Sequence, residues 1–119
     1  MGAYTFVDLM SQGPEPPIKV RAMLSLLRVD EGGWRSTGIR SGYRPSHNFD
    51  GPENRRFYIG QIDFDTTDLI NLGESLEVVV KFLRGPGLVE VLKVGATGRV
   101  QERPKLVATA TVLEVLDGT

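Results

Sequence analysis

The densest chemistry in the sequence lies between Trp34 and Tyr58. Arg35, Arg40, Arg44, Arg55 and Arg56 fall there among Trp34, Tyr43, His47, Phe57 and Tyr58, opposed only by Asp50 and Glu53. Guanidinium groups fork onto phosphates and aromatic rings stack on exposed bases, so this interleaving suits RNA. The same residue types anchor protein interfaces. The candidate binding residues are Trp34, Arg35, Arg40, Tyr43, Arg44, Arg55 and Arg56. A structural role competes for some of them. Tyr43 and Arg44 are expected to brace the fold, the hydroxyl on loop backbone and the guanidinium on a carboxylate such as Glu31 or Glu102. For Arg35, Arg40, Arg55 and Arg56, a solvated surface stands level with a binding face.

Other chemistry is thinner. Asp63, Asp65, Asp68, Glu74 and Glu77 form an acidic stretch without a basic residue. Asp63 and Asp65 would share one strand face, as a hard-cation site needs. No ligand pattern accompanies them, so turn capping and solubility explain the acids, and no metal or cofactor is expected. Asp63 and Glu77 could form a carboxylate pair for hydrolysis, but nothing in the sequence brings them to a cleft. His47, the single histidine, follows Arg44-Pro45-Ser46 rather than a nucleophile motif, and reads as a loop residue. There is no cysteine, hence no disulfide and no thiolate chemistry, which fits a reducing compartment. These absences make a binding module, not an enzyme, the expectation.

The elements that must position these residues are strands. Residues 18 to 29 open with strict alternation: Val20, Ala22, Leu24 and Leu26 face one way, and Lys19, Arg21, Met23 and Ser25 the other. Residues 55–64, 76–84, 88–94, 98–103 and 106–116 read as further strands, rich in β-branched and aromatic residues. In the last, Val107, Thr109, Thr111, Leu113 and Val115 should oppose Leu106, Ala108, Ala110, Val112 and Leu116. Residues 65–74 are expected to hold at most a short helical turn capped by Asp65. Short strands separated by Gly/Pro turns predict an all-β barrel or sandwich. The length of 119 residues suits one domain. Residues 1–17 read as a tail or extra strand ahead of a domain spanning 18–119, because Ser11 to Pro17 is a breaker cluster. The opening residues lack a signal-peptide pattern, and no apolar run is long enough for a bilayer, so a cytoplasmic protein is expected. A formal charge of −1 gives no general attraction to nucleic acid.

Several pieces in order resemble the C-terminal, third domain of translation elongation factor Tu. They are a strand entering Asp30-Glu31-Gly32-Gly33-Trp34, then Gly42-Tyr43-Arg44-Pro45, then Asn71 to Leu83, then Val100 to Leu116. The resemblance implies a small antiparallel Greek-key β-barrel. In that family the domain helps bind the T arm of aminoacyl-tRNA and contacts other proteins. The chain departs from the pattern in two places. Arg103 and Pro104 stand where the family has two glycines after the glutamate matched by Glu102, and the segment after Pro45 differs. No phosphate loop is present, so the resemblance brings no GTP binding. What it implies is a non-catalytic module with a protein partner, such as a translation component or a toxin that recognises the factor. An RNA-binding module is the alternative. A strand edge left open by the family's missing domains would favour a homodimer.

Overall fold

A computed structural model describes residues 16–49 and 56–117. The expected tail falls mostly outside them. Six strands close into an antiparallel barrel: β1 (Ile18–Leu26), β2 (Ser46–Asn48), β3 (Tyr58–Asp63), β4 (Ser75–Phe82), β5 (Thr97–Glu102) and β6 (Lys105–Asp117). Around the barrel the order is β1-β4-β3-β2-β5-β6, and β6 pairs back onto β1. The chain therefore leaves β1, passes over β4 and β3 to reach β2, and returns by hairpins, a Greek-key path. The all-β expectation holds. Among the described strands the open edge expected of a domain without its neighbours is missing, because the barrel closes with β6 back on β1.

Alternation fills the barrel. Val20, Ala22, Leu24 and Leu26 of β1 point inward, meeting Val78, Val80 and Phe82 of β4, Ile62 of β3, and Val100 of β5. Such burial removes apolar surface from water at about 25 cal/mol per Å². The outward face of β1 is polar, with Arg21 reaching Glu77 at 2.8 Å and Glu114 at 3.3 Å. β6 departs from the expected phase. Ala108, Ala110 and Val112 line the core, but register shifts against β1 then bring Val115, not Leu116, into contact with it. A bulge inserts one residue and swaps the faces beyond it.

Two assignments are corrected. Residues 88–91 are a helical turn, α1 (Leu88–Val91), rather than a strand. Leu88 and Leu92, four apart and both buried, plug one end of the barrel. Residues 65–74 form turns without a helix, and Asp65 caps nothing there: Thr66 Oγ1 accepts the Asp68 N–H at 3.1 Å, and Glu74 Oε1 accepts the Asn71 N–H at 2.6 Å. A single 3-10 turn (Val29–Glu31) follows β1.

Candidate binding surface

The segment after β1 lies strapped across the barrel. Arg28 grips Asp30 with bonds of 2.9 and 2.6 Å, tightening the turn. The Trp34 N–H then donates to the Leu106 carbonyl at 2.7 Å, pinning the strap to β6. Farther on, Ile39 bridges Ile70 and Tyr43 bridges Ile62. Ser41 Oγ accepts the Phe64 N–H at 2.9 Å. These bonds satisfy the backbone of a segment that has no strand of its own.

At the centre sits Glu102, the last residue of β5. Its Oε2 accepts Arg35 Nη1 at 2.7 Å and the Tyr43 hydroxyl in a short bond. Arg35 also donates to the Thr37 carbonyl, the Thr37 hydroxyl and the Gly38 carbonyl, and its guanidinium carbon lies 5.4 Å from the Tyr43 ring centroid. The hydrogen bond to Glu102 raises the Arg35 pKa. Burial pushes the Tyr43 hydroxyl up, and the bond to Glu102 pushes it further. Burial also pushes Glu102 up, but the bonds from Tyr43 and Arg35 outweigh it and hold the carboxyl below its usual range.

Arg35 and Tyr43 thus meet on one carboxylate, with Trp34 next to Arg35 in the strap, and the Tyr43 hydroxyl bonds that side chain rather than loop backbone. The carboxylate is Glu102, and the guanidinium on it is Arg35's, while the Glu31 carboxylate takes the Arg28 backbone N–H at 2.9 Å. Arg40 turns along the strap to donate to the Thr67 carbonyl at 3.1 Å. Arg44 is exposed next to Pro45. Arg56 packs over the turn at Gly87, close to the Tyr58 hydroxyl. Arg55 lies outside the described residues.

Sequence reasoning missed the hairpin tip joining β5 to β6. There Arg103 lies 4.1 Å from the Phe57 ring centroid, and Lys105 lies 4.8 Å from the Trp34 ring centroid. Trp34 remains 55% exposed. A groove of about 290 Å³ opens beside it, lined by Trp34, Arg35, Ser36, Thr37 and Glu102. The available signal was the basic pair Arg103 and Lys105 straddling Pro104.

His47 is not a loop residue. It sits in β2, 1% exposed, its Nε2 donating to the Gly60 carbonyl at 3.1 Å and its ring edge-on to Phe82. Burial drives its pKa down to about 4, only partly opposed by that bond. The acidic stretch splits up. Lys81 approaches Asp63 at 3.3 Å, Gln61 donates to Asp63 at 3.0 Å, and Arg21 holds Glu77. β3 ends at Asp63, so Asp65 shares no strand face with it. Among the described residues no group of three or more metal-ligating side chains converges.

The bracing role of Glu102 is testable. Glu102→Ala leaves Arg35 and Tyr43 without their shared acceptor, at a cost of about 1–3 kcal/mol, reduced by partial exposure. The urea midpoint should fall with an unchanged slope. An unmoved midpoint would show that the bonds from Arg35 to Thr37 and Gly38 suffice to hold the strap.

No described helix is long and apolar enough to cross a membrane. No family model matches the chain, and no curated protein matches it.

Proposed function

We propose that the chain is a non-catalytic binding module, similar to the third domain of elongation factor Tu, that works through a protein partner such as a translation component or a toxin. The observation that carries this reading is the half-exposed Trp34 beside a groove, on a strap whose arginines are spent internally. Arg35 is consumed by Glu102, Thr37 and Gly38, and Arg40 donates to the Thr67 carbonyl. Those two guanidinium groups are directed at the protein's own acceptors rather than outward to a phosphate track. A large exposed aromatic in a braced setting is how interfaces are anchored. The Gly42-Tyr43-Arg44-Pro45 stretch, lying across a closed Greek-key barrel, supports the likeness to the factor.

RNA binding is the second reading. Trp34 and Phe57, each with a cation at its face, favour it, since such rings stack on bases. The deciding experiment is capture from host lysate with the tagged protein, with and without ribonuclease. A protein partner retained after ribonuclease is the expected result. Nucleic acid recovered only from untreated lysate, and released steeply by salt, would replace the protein reading with the RNA one.

A further inference from the structure

We infer that the partner docks through a short acidic segment carrying one apolar side chain, laid across the tip of the β5–β6 hairpin. This rests on the protein-binding reading and gives that partner its chemistry. Arg103 and Lys105 are both exposed, and among the described residues the ion pairs engage Arg21, Arg28, Arg35 and Lys81 instead. The acid nearest in sequence, Glu102, is already taken by Arg35 and Tyr43. Two positive charges therefore flank Pro104 at the hairpin tip with no carboxylate paired to either among the described residues. Each rests on a ring, Arg103 on Phe57 and Lys105 on Trp34, which fixes its position while leaving its outer side to solvent. A carboxylate arriving there gains charge-assisted bonds with little ordering cost.

The groove beside Trp34 supplies the second half of the recognition. Its volume of about 290 Å³ accommodates a single large side chain. The Trp34 ring offers an apolar wall, and Ser36 and Thr37 give a polar rim. A phosphate backbone asks for a longer track of cations. Here Glu102 lines the groove itself, and the whole chain carries a formal charge of −1.

Trp34 is the only tryptophan in the chain, so its emission reports directly on this surface. The full chain is titrated with a short peptide of glutamates around a central phenylalanine, with the matching lysine peptide, and with single-stranded polyuridine. A saturable change is expected with the acidic peptide alone. Arg103→Ala and Lys105→Ala should each weaken it roughly tenfold, equivalent to about 1.4 kcal/mol. Binding heats measured in parallel separate lost affinity from a changed tryptophan environment. Lys93→Ala, in the segment leading into β5, should titrate like the parent. Equal binding of the lysine peptide, or no saturation with the acidic one, overturns the inference. A response to polyuridine alone overturns it together with the protein-binding reading. Silence from all three probes overturns the acidic chemistry only, because a ribonuclease-resistant partner would still uphold a protein interface of another kind.

Discussion

Replacing Gly60 by alanine is expected to lower the melting temperature by roughly 10 °C, a cost of about 3 kcal/mol for a domain of this size. The reason is the crossing of three elements over one backbone position. A Cβ on Gly60 would lie 2.8 Å from His47 Nε2, 2.9 Å from Phe82 and 2.9 Å from Val80. β3 cannot retreat, because β2 flanks it on one side and β4 on the other. Moving His47 aside would also break its bond to the Gly60 carbonyl. Gly42→Ala is the matched control. There the backbone has φ +95° and an added Cβ meets nothing within 4 Å, so the cost is the left-handed strain alone, about 1 kcal/mol. Equal losses in the two variants would show that Gly60 is chosen for its backbone and not for the space it leaves.

Acid is expected to weaken the barrel well above the carboxylate range, through His47. In the unfolded chain the imidazole takes a proton near its ordinary value of 6.5, whereas inside the barrel it stays neutral down to about 4. Between those limits the unfolded state binds the extra proton. Stability is therefore full above pH 6.5 and falls as the pH is lowered, by up to about 3 kcal/mol near pH 4. Glu102 acts in the same sense but lower. Its folded pKa is depressed, so its contribution is present above the ordinary carboxylate range and is lost as the pH falls through the folded value. Urea midpoints at pH 7 and pH 4.5 would show the effect. His47→Gln, which keeps a donor for the Gly60 carbonyl, should flatten the change between the two pH values. An identical pH response in parent and variant would assign the titration to another group.

Period-two alternation announced an all-β fold, barrel or sandwich, and where that signal was strong the elements are where it put them. β1 and the strands around Ile62, Val80, Val100 and Ala110 are cases in point. It failed where tertiary closure overrode local preference. Residues 88 to 91 carry β-branched side chains in alternation, yet the barrel end needs Leu88 and Leu92 on one side, and only a helical turn delivers that. β2 is three polar or aromatic residues with no pattern, and it forms because β3 and β5 offer it partners on both sides. His47 looked like a loop residue for the same reason. At the candidate surface, Trp34, Arg35 and Tyr43 were singled out from type and proximity. Glu102 was named there as one of two carboxylates that a guanidinium could take, but Arg103 and Lys105 were not seen as part of the surface, because they come from a hairpin some seventy positions onward, and only the β5–β6 register sets them beside the strap.

The seam between β1 and β6 fixes when this molecule can form. Arg21 and Glu114, which face each other across it, are separated by 93 positions. A chain emerging from the ribosome holds every other strand before it holds the partner that β1 requires on that side. Until β6 arrives, β1 and β5 present bare edges along much of their length. High contact order of this kind places folding in the millisecond-to-second range rather than the microsecond range of helical bundles. The nascent barrel is thus most exposed to wrong pairing in the interval just before β6 is made.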